Sequence, residues 1–215
     1  MFNDREDAGR QLGAALLKYK RKNPLVLAIP RGGVEVGYQV ATCLHADFSI
    51  IVTRKLPYPD NPEAGFGAVA EDGSLYLLEE ASQWLSERTI KKIIEEQRQE
   101  ILRRVTVLRQ ERTLPEIAKR TVILVDDGIA MGSTMHAAVL VCQKKKARHI
   151  IVAAPVSSEQ VAEEFEQIVD DVVILEKPMD FYAVAQAYRL WHDVPDTEVI
   201  TLLKNYESSI SAEKK

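Results

Sequence analysis

An alternation restricts the fold of this chain more than any other feature. Short apolar runs at residues 25–29, 48–52, 121–125, 150–154 and 172–175 are separated by longer amphipathic stretches. Runs of this length suit strands buried on both faces and are too short for buried helices. The stretches between them place apolar residues at helical spacing, with Leu12, Leu16 and Leu17 before the first run and Val36, Val40 and Leu44 after it. Strands alternating with helices predict an α/β fold: a single doubly wound domain around a mostly parallel central sheet of about five strands. In such sheets ligands bind beyond the carboxyl ends of the strands, so chemistry is expected in the loops there.

Two segments break the alternation. Between residues 54 and 73, Pro57, Pro59 and Pro62 with Gly65, Gly67 and Gly73 mark a long excursion, a flexible loop or hairpin after the second strand. Long loops in compact domains are often lids or binding loops. Residues 82–112 read as one long charged helix with Leu85, Ile93, Ile94, Ile101 and Leu108 on a stripe. That stripe exceeds what one small domain would be expected to cover, which suggests a homodimer. Residues 1–207 are expected to form the domain and residues 208–215 a disordered tail.

The formal net charge of −4 and pI near 5.7 give no global positive field, which argues against nucleic acid as a partner. The one basic cluster, Lys144, Lys145, Lys146, Arg148 and His149, falls at the end of an expected helix, where cations offset the helix dipole. Cys43 and Cys142 sit in apolar contexts without metal-ligand spacing and read as buried hydrophobes. No apolar stretch is long enough to span a bilayer, so no membrane role and a cytoplasmic location are expected.

The most specific local signal lies at residues 121–134. An apolar strand runs into Asp126 and Asp127, then a loop of Gly128, Ile129, Ala130, Met131 and Gly132, and then Ser133 and Thr134 opening a helix. Gly128 and Gly132 allow close backbone approach to an anion. The free N–H groups at the helix start and the two hydroxyls suit a phosphate monoester. The carboxylates can accept hydrogen bonds from sugar hydroxyls, and alternation along the strand means both need not touch a ligand. Ser133 has an alternative reading as a plain helix N-cap. Two look-alikes fail. Gly132 is followed by Ser133, where a Walker A loop needs Lys, and Gly65-Phe66-Gly67 runs into a turn at Glu71-Asp72-Gly73, where a dinucleotide fingerprint needs a helix.

Residues 121–134 resemble the 5-phosphoribosyl-1-pyrophosphate (PRPP) binding motif of type I phosphoribosyltransferases. With Pro30-Arg31-Gly32-Gly33, Arg54-Lys55 and the stretch at residues 68–73, the likeness extends over most of the chain, to a group of prokaryotic phosphoribosyltransferases of unassigned acceptor. The resemblance implies that Asp126 and Asp127 face the ribose hydroxyls and that Gly128 to Thr134 wrap the 5′-phosphate. It implies that Arg31, Gly32 and Gly33, in a loop that often holds a cis peptide, bind pyrophosphate together with Arg54 and Lys55. It also implies a lid after the second strand, Mg²⁺ carried on PRPP without a dedicated protein cage, and Asp126, Asp127, Arg31 and Lys55 as the catalytic set. An Asp126 or Asp127 carboxylate would reach the metal through water.

The implied reaction is transfer of phosphoribosyl to a nitrogenous acceptor. Ala130 stands where the hypoxanthine-guanine branch carries an acid, so that base is missing. A small C-terminal hood at about residues 176–200 is expected to recognise the acceptor through Asp180, Phe181 and Tyr182, with His192 beside Asp193 as a weaker candidate base. A PRPP-binding regulator without turnover, or a PRPP hydrolase, remains as an alternative reading of the same site.

Overall fold

The computed structural model describes residues 1–110 and 112–213. Helix α1 (Arg5–Ala15) and a 3-10 turn (Leu17–Lys22) precede strand β1 (Leu25–Ala28), helix α2 (Gly33–Leu44) and strand β2 (Asp47–Ile50). An antiparallel unit follows: β3 (Thr53–Tyr58), β4 (Asn61–Ala70) and β5 (Leu75–Leu77). Helices α3 (Glu79–Ser82) and α4 (Glu87–Arg109) then lead to β6 (Thr121–Val125), α5 (Ser133–Lys144), β7 (His149–Val156), α6 (Glu159–Glu166) and β8 (Asp171–Glu176). Helix α7 (Asp196–Glu213) ends the described chain.

The five expected strands form one parallel sheet in the order β2-β1-β6-β7-β8. Strand periodicity divides each run between two layers. Val122 and Leu124 face one way, with Leu25, Leu27 and Val152, under Ala137 and Val141 of α5 and Phe165 of α6. Ile123 and Val125 face the other way, with Val26 and Ile151, under Leu12 of α1 and Val36 and Val40 of α2. Both faces are covered, which is why the runs are apolar throughout rather than alternating.

The excursion is a hairpin. β3 and β4 pair antiparallel from Thr53↔Ala70 to Tyr58↔Asn61, and β5 adds a third strand. The stripe on α4 does not await a second copy: Ile93, Ile101 and Leu108 are buried against Leu56 and Phe66 of the hairpin and Val199 and Leu203 of α7. The argument for a homodimer from an uncovered helix therefore falls. Helix α7 continues to Glu213, over residues expected as a tail. Val199, Leu203 and Tyr206 extend a helical stripe along it, and the Tyr206 hydroxyl donates to the Ala46 carbonyl. Lys214 and Lys215 lie outside the described residues.

One buried ion pair ties the hairpin to α4. Glu71 and Arg109 are 7% and 6% exposed, and Arg109 Nη1 donates to Glu71 Oε1 at 3.3 Å. Burial pushes the Glu71 carboxyl above its ordinary range, and Arg109 opposes that push. Removing one partner of such a pair leaves a charge with no compensation. Arg109→Leu is therefore expected to cost about 3 kcal/mol in urea denaturation at neutral pH. Adding Glu71→Leu should recover most of that loss; a double variant as unstable as the single would contradict the account.

Candidate active site

The strand order reverses between β1 and β6, and the loops leaving those two strands lie side by side at the carboxyl end of the sheet. Such a switch point leaves a crevice. Ala28 pairs with Val125, and the Ile29 N–H donates to the Val125 carbonyl at 2.8 Å, so both loops start at the same level. The first loop carries a cis peptide between Pro30 and Arg31. Gly32 is required by contact: a Cβ there would sit 1.8 Å from Asp127 Oδ2.

The loop after β6 is fixed from below. The Ile129 N–H donates to the Val156 carbonyl at 2.9 Å, and Ser157 Oγ donates to the Ile129 carbonyl at 3.0 Å. Gly132 then turns the chain at φ 73° and is itself the N-cap of α5, with no side-chain capping hydrogen bond. The alternative reading of Ser133 as N-cap is therefore wrong. The first N–H groups of α5 are left uncapped, and its first turn holds no acid. A helix end in this condition attracts anions. A cavity of about 330 Å³ opens over it, lined by residues 128–134, Asp126, Val184, Lys55, Glu63 and Tyr182.

The two acids divide their work. Asp127 turns inward, where its Oδ2 accepts from Arg5 Nε at 2.7 Å and its backbone carbonyl accepts from the Tyr188 hydroxyl at 2.5 Å. Arg5 Nη1 also donates to Glu35 Oε2 at 3.1 Å and to the His192 carbonyl at 2.9 Å, and the guanidinium lies 3.9 Å from the centroid of the Trp191 ring. Asp126 lines the cavity, with Oδ1 accepting from the Asp127 N–H at 2.9 Å. Burial and the adjacent Asp127 hold the Asp126 carboxyl well above its ordinary range. Of the two acids expected to face a sugar, Asp127 is paired with Arg5 and Asp126 lines the cavity.

The other expected residues separate in the same way. Lys55 lines the cavity, and its ammonium donates to the Glu63 carbonyl across the hairpin. Its neighbour Arg54 points to the opposite face, where Nε donates to Gln97 Oε1 at 3.0 Å. Burial, then nearby Arg104, lowers the affinity of Arg54 for its proton. Arg31 is half exposed at the crevice edge, with Nη1 3.7 Å from Asp196 Oδ1, and it lies outside the cavity lining. Gly32 and Gly33 support Asp127 and Asp126 and do not line the cavity. Of the hood residues, exposed Tyr182 reaches the cavity. Phe181 packs with Phe2 and Tyr188, and Asp180 is exposed away from the lining. His192 Nε2 lies 3.8 Å from carboxylate oxygens of Glu35 and Glu198, so its expected partner Asp193 is replaced by these two.

Sequence reasoning missed Arg5, Tyr188 and Glu63. No local signal marks Arg5, whose partners lie 30 to 187 residues away. Glu63 carried a detectable signal, since a hairpin after the second strand must carry its own residues over the site. Glu35, His192 and Glu198 are the cluster with metal-compatible spacing among the described residues, but Glu35 is already held by Arg5. The acidic residues among those lining the cavity are Asp126 and Glu63.

A family model described as "Phosphoribosyl transferase domain" matches residues 4–190. The Mycobacterium tuberculosis protein Rv0571c, provisionally named a phosphoribosyl transferase, is 37% identical over 205 residues, which are 94% of this chain and 46% of that protein. The chain thus spans about half the length of the curated relatives it matches. The crystal structure of TT1426 from Thermus thermophilus is 35% identical and covers 96% of this chain and 99% of that one, with a TM-score of 0.81. The AQ2163 protein from Aquifex aeolicus, 12% identical, covers 82% of this chain and 77% of its own with a TM-score of 0.50, a likeness of fold alone.

Proposed function

The chain belongs to the phosphoribosyl transferase domain family, and from that membership we propose that it transfers the 5-phosphoribosyl group of PRPP to a nitrogenous, base-like acceptor. One observation carries the reading: the uncapped start of α5 and the loop before it line a cavity together with Asp126, Lys55 of the hairpin and Tyr182. The N–H groups of α5 and the Ser133 and Thr134 hydroxyls bind the 5′-phosphate. Asp126 accepts from a ribose hydroxyl. The pyrophosphate lies toward Lys55 and the Pro30-to-Gly33 loop, with Arg31 and Arg54 at that edge. Arg54 serves there by its field, since its Nε is turned to Gln97.

The acceptor nitrogen attacks C1 of the ribose, the C1–N bond forms, and the C1–O bond breaks with its electrons leaving on pyrophosphate. The acceptor then gives up its N–H proton to solvent water, so the products are the ribosylated acceptor, pyrophosphate and one proton. Positive charge builds on the sugar ring, so the chain contributes mainly by positioning and by stabilising the leaving group. Asp126 and Glu63 suit a magnesium ion carried in on the donor, because Mg²⁺ keeps its waters and takes only one or two protein carboxylates. When bound, Mg²⁺ supplies neutralisation of the phosphate oxygens. The hairpin stands over the cavity and limits water, which would otherwise hydrolyse an activated sugar. The exposed Tyr182 ring at the rim suits stacking on a planar acceptor.

Calorimetric titration with magnesium-PRPP, followed by a nucleobase panel scored for pyrophosphate, tests this reading. Saturable binding and base-dependent pyrophosphate release are expected. Binding without release for any base would favour a regulator, base-independent release would indicate hydrolysis, and no binding would end the proposal.

A further inference from the structure

The amino ends of the central strands hold a second cavity, of about 520 Å³, at the opposite end of the sheet from the crevice. The separation is the length of β6, five residues or about 17 Å. β1, β6 and β7 are neighbours in the sheet, so the segments entering them converge. They bring Arg21 and Lys22, Lys119 and Arg120, and Arg148 and His149 to one concavity.

Backbone bonds stitch the segments together. The Arg120 carbonyl accepts from the Arg148 N–H at 2.8 Å, and the Lys146 carbonyl accepts from the Lys119 N–H at 2.9 Å. Arg120 is anchored, donating to the Asn23 carbonyl at 3.3 Å and pairing with Asp47 at 2.7 Å. Lys22 lies over the Tyr19 ring at 5.1 Å. Among the described residues, Arg21, Lys22, Lys119 and Arg148 have no carboxylate partner within ion-pair distance. His149 Nδ1 is buried without a hydrogen-bond partner. Like charges repel across so small a space, and a chain of net charge −4 has acids enough to neutralise them elsewhere. Arg148 and His149, the end of the basic cluster assigned above to a helix end, supply one wall.

We propose that this cavity is a binding site for a compact polyphosphate, of the size and charge of a nucleoside di- or triphosphate tail, separate from the crevice at the other end of the sheet. A single phosphate would occupy a small part of the volume and meet only one wall. Several linked phosphates reach all three segments at once. Nucleic acid fits less well, because the positive surface is one concavity and not a stripe that can follow a backbone.

Amide NMR titration of the ¹⁵N-labelled protein with inorganic tripolyphosphate tests the site directly. Saturable shifts are expected at Asn23, Thr121 and His149, with affinity falling as salt rises. Lys22→Gln with Arg148→Gln, both exposed side chains, should weaken that binding about tenfold, the sum of two screened charges. The shifts at residues 128–134 should keep their own affinity in that variant, whose spectrum also reports that it is folded. Shifts confined to residues 128–134, or none that saturate, overturn the site. Tighter binding of a single-stranded oligonucleotide at the same amides overturns the assignment to a compact ligand.

Discussion

Asp126→Asn is expected to weaken magnesium-PRPP binding about tenfold or more, the worth of a hydrogen bond to a charged group, while leaving the thermal midpoint unchanged or higher. Under the proposed function the carboxylate serves a ligand at a cost to the fold, so the two effects have opposite signs. Asp126 is held by burial and by Asp127 well above the ordinary carboxylate range. Between its unfolded and folded values the native state binds the extra proton, so stability is fullest below the unfolded value and declines as pH rises through the folded one. Asparagine carries no charge and removes that decline. It keeps an oxygen to accept from the Asp127 N–H, which now bonds Oδ1 at 2.9 Å. Calorimetry on both proteins, with PRPP titrated and with heating scans at acid and neutral pH, reads both effects. Unchanged PRPP affinity would remove Asp126 from the site. A midpoint lower at neutral pH would show that the carboxylate supports the fold instead.

How much of this was legible in the sequence depends on the range of the interactions. The strands were legible because burial on both faces leaves a continuous apolar run, as at residues 121–125. The turn at residues 128–132 into α5 was legible because its parts are consecutive and its glycine has a local reason: Gly132 at φ 73° takes a turn that side chains resist. The split between Asp126 and Asp127 was only half legible. Alternation along the strand said that one would turn inward, but which one depends on Arg5, which approaches from α1. Arg54 and Lys55 posed the same question of which face is which, and α4 answered it through Gln97. The continuation of α7 past residue 207 was not legible because polar residues 207–209 interrupt the stripe, and Ile210 beyond them finds its packing in the layer formed with α2. In each case the missed information sits in a partner far along the chain.

Arg5 holds the N-terminal helix, the loop after β6 and the C-terminal segment in one knot, and Arg5→Leu should be the most damaging single change. The guanidinium is 4% exposed and serves Asp127, Glu35 and the His192 carbonyl together, with Trp191 stacked on its face. Its loss leaves two little-exposed carboxylates without the guanidinium that bonds them, at a cost of about 4 kcal/mol. For a chain of this size that corresponds to a drop of about 10 °C in Tm. Arg5→Lys should recover little, because one ammonium on a flexible stem cannot reproduce a planar fork that reaches separate acceptors. The knot also fixes where Asp127, and through it Gly32 and the first loop, can lie, since Asp127 Oδ2 fills the space a Gly32 Cβ would need. PRPP affinity should therefore fall even in Arg5→Lys, although Arg5 lies outside the cavity lining. A double-mutant cycle isolates the pair: once Asp127→Asn has removed the charge, Arg5→Leu should cost about 2 kcal/mol less than it does in the parent. Additivity within about 0.5 kcal/mol would mean that the two residues act independently. The knot would then be a matter of packing and not of charge.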